Sequence, residues 1–268
     1  MSKRNPPTPQ KIPKDKRGKS RATDLIPIPG KRPVEELLRQ EIEPVVLFSS
    51  KLPKGRKDDT LISKCRHAGW KVVFKEKSYL DSESGGLNHQ GYLAFITYFP
   101  YVPLKSFIDQ KSDKEPLLIA LDQIQDAGNL GAILRSAECA GAKGAIIPAH
   151  RSAGITSAVI RRSAGAALCL PVSRVVNLAK TLDRLSDADF SIVGADQEGN
   201  RTIYDFEFKG PTVLVIGSEE KGLRPGIKRR CVQICSIPLY GRISSLNASA
   251  AAAVCLFEVA RQRSASTR

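Results

Sequence analysis

The stretch Ile237-Pro-Leu-Tyr-Gly-Arg-Ile-Ser-Ser-Leu-Asn-Ala-Ser249 joins a short apolar strand to an alanine-rich helix. It puts a proline at the end of the strand, a glycine in the loop and several small polar side chains at the start of the helix. Such side chains cap free backbone N–H groups at a helix N-terminus. They can also hold a ligand at the positive end of the helix. Taken alone, the stretch favours a capped helix. The interpretation as a ligand-binding site depends on support from the segments upstream.

The composition is that of a basic globular protein of 268 residues. Lys and Arg (42) exceed Asp and Glu (27) by 15, and the sequence pI is near 9.7. This surplus favours a polyanionic partner, with nucleic acid ahead of a membrane surface. No apolar run approaches the roughly 20 residues of a membrane span, and no signal peptide is recognisable. We therefore expect a cytoplasmic protein that does not bind membranes.

The cysteines and histidines show no metal-binding pattern. The six cysteines are scattered, mostly inside apolar stretches, and the three histidines lack ligand spacing. Reduced, mostly buried thiols are favoured over a zinc site or disulfide bonds. We expect no metal.

The first half of the chain divides into a tail, a small domain and a linker. Residues 1–23 predict a disordered basic tail, because eight Lys or Arg face a single acidic residue there. Residues 24–100 predict a small α/β domain. Its expected strands are 45–48, 70–74 and 92–97, and its expected helices are 34–39 and 61–68. Residues 101–115 are polar and contain proline, as in a linker.

Residues 116–268 predict a doubly wound α/β domain, because apolar strands alternate with helical stretches to the end. The run Leu117-Leu-Ile-Ala-Leu121 is typical of a parallel strand covered on both faces. The other expected strands are 145–147, 190–193, 213–216 and 232–237. The expected helices are 130–140, 156–168, 177–186, about 224–231, and 247–262.

Three polar clusters follow strands of this domain, where ligands of such sheets gather. The first is Asp122 to Gly131, ahead of a helix that carries Arg135. The second is Gly217-Ser-Glu-Glu-Lys-Gly-Leu223, and the third is the opening stretch, 237–249. None is a Walker loop or a GxGxxG fingerprint, so nucleotide hydrolysis and dinucleotide chemistry are not favoured. Each cluster alone predicts a turn, but three in order predict a site.

The combination of these clusters resembles the three motifs of the SpoU (TrmH-type) RNA 2′-O-ribose methyltransferases. The matching residues are Asp126-x-x-Asn129-x-Gly131-x-x-x-Arg135, then Gly217-Ser-Glu219-x-Lys-Gly-Leu, then Ile237-Pro-x-x-Gly-x-x-x-Ser245-Leu-Asn247-x-Ser249. The N-terminal module, with Gly30-x-x-x-Val34-x-Glu-Leu-Leu and His89-Gln-Gly91, resembles the RNA-binding domain of the RlmB-like ribosomal-RNA branch. This sequence departs from the family motifs at two places. Ala127-Gly128 stands where the family usually has proline and another residue, and Glu220 stands where glycine is common.

The resemblance implies a fold, a cofactor and an assembly. The fold is a trefoil-knotted SPOUT methyltransferase domain, preceded by a small α/β domain of the kink-turn-binding ribosomal protein type. The cofactor is S-adenosylmethionine and the assembly is a homodimer. Carried over residue by residue, the catalytic positions are Asn129, Arg135, Glu219, Ser245 and Asn247. The cofactor-binding positions are Gly217, Ile237 and Leu246.

The resemblance implies methylation of a ribose 2′-hydroxyl, with a guanosine of large-subunit (23S) ribosomal RNA as the expected substrate. In the family Arg135 is proposed to activate the hydroxyl, but a guanidinium stays protonated at ordinary pH. A clamp on the neighbouring phosphate and on the developing alkoxide is physically sounder. Transfer RNA is the alternative substrate, and methylation of an adenosine in ribosomal RNA, as in drug resistance, is a third. A non-catalytic RNA-binding or ribosome-assembly protein on the same fold is the alternative of another class.

Overall fold

The computed structural model describes residues 25–51, 60–109 and 115–265. Two separate sheets organise these residues, one of four strands and one of seven. The predicted tail, 1–23, and residues 110–114 of the predicted linker lie outside the described residues.

The N-terminal sheet has the strand order β1-β4-β2-β3, with β2 and β3 parallel and the other pairs antiparallel. Its elements are β1 (Ile26–Pro29), α1 (Lys31–Arg39), β2 (Val46–Ser49), α2 (Thr60–His67), β3 (Val72–Phe74), α3 (Lys77–Glu83) and β4 (Tyr92–Ile96). The apolar side chains of Val34 and Leu37 on α1 are buried against this sheet. The prediction of a small α/β unit agrees with this arrangement.

The C-terminal sheet has seven strands, all parallel, in the order β7-β6-β5-β10-β8-β11-β9. Its strands are β5 (Leu117–Leu121), β6 (Gly144–Pro148), β7 (Val172–Val175), β8 (Ser191–Ala195), β9 (Arg201–Thr202), β10 (Thr212–Ile216) and β11 (Gln233–Ser236). The helices are α4 (Lys105–Ile108), α5 (Ala127–Cys139), α6 (Ser157–Arg162), α7 (Ala166–Cys169), α8 (Leu178–Ser186), α9 (Pro225–Lys228) and α10 (Ala248–Ala265). The predicted parallel α/β architecture is confirmed.

The strands at the centre of this sheet are apolar at every position because both faces are covered. All five residues of β5, β6 and β10 are buried. One face packs under α5 and α10, and the other under α8 and α9. A parallel sheet leaves no solvated face, so alternating polar residues would bury unpaired groups there.

The order of the last strands is unusual. β8 and β9 are consecutive in the chain, yet β11 lies between them and is hydrogen-bonded to both. The connection between β8 and β9 therefore passes closely over β11. A Cβ atom on Gly199 would lie 2.5 Å from the backbone carbon of Cys235, so only glycine permits this crossing.

Several elements differ from the sequence prediction, each for a local reason. The expected helix 156–168 is two short helices, because the chain turns at Ala164 (φ 51°) and Gly165 (φ 88°). The edge strand β1 was missed because its Ile-Pro-Ile-Pro sequence suggests a loop, although edge strands tolerate proline. The edge strand β7 and the two-residue β9 were also missed. Part of the expected linker forms α4, whose Phe107 is buried against Gly144.

The cysteines are all free thiols, but they are less buried than expected. Cys65, Cys235 and Cys255 are buried, whereas Cys139 and Cys169 are exposed.

Candidate functional site

The three polar clusters meet at the carboxyl edge of the seven-stranded sheet. The first follows β5, the second follows β10 and the third follows β11. β5 and β10 are neighbours, with Leu121 opposite Ile216, so their ends lie side by side. The sheet therefore brings together segments about ninety residues apart in sequence, as the strand-end argument predicted.

The first cluster is fixed by a helix cap. The Asp126 carboxylate accepts a hydrogen bond from the backbone N–H of Asn129 at 2.7 Å, and so caps the N-terminus of α5. A cap of this kind satisfies an otherwise unpaired N–H group. It also holds Asn129 in the first turn of the helix, with its side chain directed at the second cluster.

The carboxylate of Glu219 joins all three clusters. Its Oε1 accepts a hydrogen bond from Asn129 Nδ2 at 2.8 Å. The same oxygen accepts a short hydrogen bond from Asn247 Nδ2 and one from the backbone N–H of Ala248 at 3.3 Å. Asn247 Nδ2 also donates to Asn129 Oδ1 at 3.0 Å. Glu219 therefore links the starts of α5 and α10, which pack against each other.

The second cluster is a tight turn that tolerates only glycine at two positions. Ser218 and Gly222 exchange backbone hydrogen bonds of 3.2 and 2.9 Å across the turn. A Cβ atom on Gly217 would lie 2.2 Å from the backbone carbon of Gly222. Gly222 itself has φ +58°, and a Cβ atom there would lie 2.5 Å from the Asp196 carboxylate. The turn therefore depends on close backbone packing at Gly217 and on backbone freedom at Gly222.

A cavity of about 390 Å³ opens between this turn, the ends of β8 and β11 and the start of α10. Its apolar walls include Ile216, Ile237, Leu239 and Leu246. Its charged lining has four carboxylates against two ammonium groups, namely Asp196, Glu198, Glu219, Glu220, Lys221 and Lys228. The size suits a small molecule or cofactor. The apolar walls suit an aromatic base, and the acidic excess suits a ligand that carries positive charge.

Asp196 anchors the glycine turn to the end of β8. Its carboxylate is only 6% exposed and lies 3.0 Å from the Lys228 ammonium. It also accepts hydrogen bonds from the backbone N–H groups of Leu223, at 2.9 Å, and Glu198, at 3.1 Å. Burial alone would raise the pKa of Asp196, but these hydrogen bonds and Lys228 outweigh it, so the pKa lies below its usual value of 3.8.

We predict that Asp196→Asn lowers the free energy of unfolding at pH 7 by about 1–3 kcal/mol, because a buried amide replaces a paired carboxylate. The folded pKa of Asp196 is depressed, so its stabilising effect is present above the unfolded pKa near 4 and is lost as pH falls through the folded value. Urea unfolding at pH 7 and pH 3 should therefore show a difference that shrinks with acid.

Glu198→Gln is the matched control, since Glu198 also contacts Lys228 but is 81% exposed. A surface pair of this kind contributes at most about 1 kcal/mol. Equal losses in the two variants, or an Asp196→Asn loss that does not depend on pH, would contradict the anchoring role.

The structure brings most of the predicted site residues together. Asn129, Glu219 and Asn247 form one hydrogen-bonded cluster. The predicted cofactor positions Gly217, Ile237 and Leu246 line the cavity. Ser245 lines it as well.

Arg135 stands apart from this cluster. It is exposed on α5, six residues after Asn129, which places the two side chains about 120° apart around the helix and about 9 Å apart along it. Within the described residues its guanidinium makes no hydrogen bond or ion pair. It is therefore available to a molecule outside this chain.

Two acidic residues near the site were given no role in the sequence prediction, although Asp122 opens the first cluster. Asp196 follows β8, and Asp122 follows β5. Asp122 is 1% exposed and binds the backbone N–H and the guanidinium of Arg224 at 3.0 and 2.8 Å. Asp196 could have been found in the way that Asp122 was, because it also comes directly after a buried apolar strand, where ligand-shaping groups gather.

The described residues hold no group of three or more potential metal ligands. No helix in the described part of the chain has the length and apolar character needed to cross a membrane.

Comparison with known proteins shows the family. A model described as the SpoU rRNA Methylase family matches residues 116–257, and one described as RNA 2′-O ribose methyltransferase substrate binding matches residues 27–102. An uncharacterized tRNA/rRNA methyltransferase of Mycobacterium sp. (strain KMS) is 37% identical over 240 residues, which are 87% of this chain and 76% of that protein.

Two further relatives carry more specific descriptions. The 23S rRNA (guanosine-2′-O-)-methyltransferase RlmB of Pseudomonas aeruginosa is 45% identical over 101 residues, 38% of this chain and 41% of that protein. The crystal structure of the SpoU methyltransferase AviRb from Streptomyces viridochromogenes, in complex with the cofactor AdoMet, is 27% identical with a TM-score of 0.70 and covers 90% of this chain and 92% of that one. Together with the site described above, these matches show that the chain belongs to the SpoU rRNA methylase family and is an RNA methyltransferase.

Proposed function

We propose that this enzyme methylates the ribose 2′-hydroxyl of a guanosine in large-subunit (23S) ribosomal RNA, with S-adenosylmethionine as the methyl donor. The observation that carries the proposal is the convergence of Asn129, Glu219 and Asn247 beside an acidic, apolar-walled cavity. The cavity suits the cofactor, and the polar cluster suits a ribose.

The residues of the cavity fit S-adenosylmethionine. Ile237 and Leu246 offer apolar surfaces to the adenine, and Gly217 lets the backbone approach closely. The acidic excess of the lining favours a sulfonium cation. When bound, the cofactor supplies a strongly electrophilic methyl group, so the protein has mainly to position the acceptor.

The polar cluster has a free acceptor for the substrate. Oε1 of Glu219 is shared by three donors, whereas Oε2 makes no hydrogen bond within the described residues. Glu219 Oε2 and the Ser245 hydroxyl orient the ribose by hydrogen bonds. Asn129 and Asn247 hold the Glu219 carboxylate in place. Arg135 lies away from this cluster on its own chain, so in the homodimer proposed below it acts at the partner subunit's site, where it binds the neighbouring phosphate and stabilises the negative charge that develops on the 2′-oxygen.

Ribosomal RNA is favoured over transfer RNA by the N-terminal domain and by one relative. Residues 27–102 match a substrate-binding domain that a minimal methyltransferase would not need. The relative named for guanosine 2′-O-methylation of 23S rRNA is 45% identical over the region it shares. A ribosomal RNA substrate also implies action in the cytoplasm. The hydrogen-bonded cluster argues against a non-catalytic RNA-binding protein, because binding alone would not require it.

The substrate proposal can be tested with unmodified transcripts. The enzyme is incubated with methyl-labelled S-adenosylmethionine and equal masses of 23S ribosomal RNA and mixed transfer RNA transcripts, and the labelled nucleosides are identified after digestion. We expect label in 2′-O-methylguanosine from the ribosomal RNA. Label in the transfer RNA alone, or in another nucleoside, would contradict the substrate proposal.

We further propose that the C-terminal domain, 116–268, contains a trefoil knot. The support is the strand order, in which β11 lies between the consecutive strands β8 and β9, and the close crossing of residues 196–200 over β11 at Gly199.

Residues 24–100 form the substrate-binding domain, of the kink-turn-binding ribosomal protein type. The support is a mixed four-stranded sheet covered by α1 and α2 in a basic chain. Residues 101–115 join the two domains, and residues 1–23 add an electrostatic RNA contact.

A homodimer formed through α10 is the proposed assembly. α10 is eighteen residues long and apolar over most of its surface, whereas a helix with one exposed face normally has a polar side. Phe257 on this helix is 51% exposed. An exposed aromatic side chain on an apolar helix is typical of an interface.

We predict that Phe257→Glu converts the protein to a monomer. A buried charge at an interface core costs more than the contact it replaces. Light scattering during size-exclusion chromatography should give about 58 kDa for the wild type, twice the chain mass of 29.2 kDa, and half that for the variant. Tyr204→Glu is the control, since Tyr204 is 50% exposed and lies outside α10. A dimeric Phe257→Glu variant would place the interface elsewhere.

A further inference from the structure

A second groove lies on the same edge of the seven-stranded sheet as the cofactor cavity. Its volume is about 510 Å³, and it is formed by the loops that follow β5, β6 and β7 together with the start of α9. We call it the basic groove and define it by His150, Arg151, Val176, Asn177, Arg224 and Ile227. Nothing in the proposed chemistry uses these residues.

The charge of the basic groove is opposite to that of the cavity. Arg151 and Arg224 line the groove, and no Asp or Glu is among the described residues that line it. The cavity, in contrast, has two more carboxylates than ammonium groups. A cationic cofactor and a polyanionic RNA therefore have complementary surfaces next to each other.

The cations of the basic groove differ in how they are held. The Arg224 guanidinium is tied to the buried Asp122 at 2.6 Å and remains 42% exposed. Arg174 on the edge strand β7 is outside the lining and donates to the backbone oxygen of Ala149 at 3.0 Å, between the lining residues Pro148 and His150. Arg151 is exposed, and within the described residues its guanidinium makes no hydrogen bond or ion pair. Of the two arginines that line the groove, Arg151 is therefore the one whose charge no described carboxylate pairs with.

The basic groove also has an apolar element. Val176 is 80% exposed in its lining, and the buried side chains of Ile227 and Leu178 line it as well. The N-terminus of α8 also opens into the groove, with Asn177 capping the N–H of Lys180 at 3.1 Å. Cations beside an exposed apolar side chain suit a nucleotide strand, whose phosphates bind the cations and whose sugar or base contacts the apolar group.

The basic groove and the cavity are close enough for one strand to reach both. β5 and β10 are adjacent, and the Asp122 N–H donates to the Ile216 oxygen at 2.8 Å. Gly222 lines the cavity and Arg224 lines the groove. Two residues of chain span at most about 7 Å, so the walls of the two pockets share one loop.

We propose that the basic groove binds the sugar–phosphate backbone of the RNA strand next to the nucleotide that is methylated. Arg151 contacts a phosphate directly, and Arg224, fixed by Asp122, forms the wall between the strand and the cofactor cavity. This inference rests on the proposed function, because it assigns the path of the same substrate.

The test compares two cationic side chains at opposite ends of the β-strand β6. Arg151 follows β6 at the carboxyl edge, whereas Lys143 precedes β6 at the opposite edge. Arg151→Gln and Lys143→Gln therefore remove the same charge from opposite ends of the sheet. The probe is a fluorescein-labelled single-stranded RNA dodecamer, titrated with each full-length protein at several salt concentrations. Binding of S-adenosylmethionine is measured in parallel by calorimetry.

For Arg151→Gln we expect affinity for the dodecamer to fall about fivefold at 0.1 M salt. The negative slope of log K (association) against log salt should become shallower by about 0.7, the value for one phosphate contact on a single strand. We expect Lys143→Gln to behave as the wild type, and both variants to bind S-adenosylmethionine as the wild type does.

Equal affinities and slopes for the two variants would overturn the assignment of the basic groove. A loss specific to Arg151→Gln would support it even if the wild-type enzyme methylated no ribosomal RNA, in which case only the proposed substrate would fail. A wild type that did not bind the dodecamer at all would overturn the groove assignment, whatever its affinity for S-adenosylmethionine.

Discussion

Replacing Arg135 with alanine should slow methyl transfer by about 100- to 1,000-fold, which is the usual effect of removing one group that stabilises developing charge. The Kd for S-adenosylmethionine should change by less than about twofold, because Arg135 lies outside the cofactor cavity. Arg135 is exposed and unpaired within the described residues, so its loss should not destabilise the fold. Single-turnover transfer to ribosomal RNA and calorimetry with the cofactor measure the two effects separately.

Arg184→Ala is the control for this variant, because Arg184 is an exposed arginine on α8, another helix of the same domain. Arg135→Lys adds a second comparison, since lysine keeps the charge but not the planar fork that binds a phosphate with two hydrogen bonds. It should recover only part of the rate. Full turnover of Arg135→Ala would remove Arg135 from the mechanism.

Replacing Gly217 with alanine should reduce affinity for S-adenosylmethionine by more than about 100-fold. The added Cβ would lie 2.2 Å from the carbon and 2.3 Å from the oxygen of Gly222, both of them backbone atoms that cannot turn aside. The turn must therefore shift, and with it the wall of the cavity that carries Glu219. The free energy of unfolding should fall by about 1–3 kcal/mol, as for other overpacked sites.

Gly241→Ala is the matched control, because a Cβ atom there meets nothing within 4 Å although Gly241 lies in the loop beside the cavity. Its affinity for the cofactor should equal that of the wild type. Cofactor affinity retained by Gly217→Ala, in a protein shown by circular dichroism to be folded, would mean that the glycine turn does not bind the cofactor.

Much of the C-terminal fold was predictable because its strands lie inside the domain. β5, β6 and β10 are continuous apolar runs, and a run of that kind in a strand–helix alternation predicts a parallel sheet. The edge strands were less visible. β1 has two prolines and β7 has a polar pair, Ser173-Arg174, so neither shows the pattern of a buried strand.

The meeting of the three clusters was predictable from the order of strands and clusters along the chain. Strands in one parallel sheet end at one edge, which is why the clusters around Asn129, Glu219 and Asn247 were expected to meet. The partner of each side chain was not predictable. Asp196 acts through the backbone of Leu223, twenty-seven residues away, and its contact with Gly222 depends on the path of a turn that no local pattern describes.

The placement of Arg135 shows a second limit of the sequence. Its motif spacing from Asn129 suggested one site, yet six residues of helix turn the two side chains about 120° apart. This angle follows from helical geometry, because Asn129 and Arg135 both lie in α5, which begins after the Asp126 cap. What binds the exposed guanidinium depends on molecules outside the chain, so the sequence could not supply it.

The chemical position of the transferred methyl group decides whether the proposed reaction is correct. The enzyme is given methyl-labelled S-adenosylmethionine and an unmodified 23S ribosomal RNA transcript, and the purified RNA is hydrolysed in alkali. Alkaline cleavage uses the ribose 2′-hydroxyl as its nucleophile, so a 2′-O-methyl group blocks cleavage at that nucleotide. We predict that the label stays in an alkali-resistant dinucleotide. Label released in mononucleotides would place the methyl group on a base and would contradict the proposed reaction.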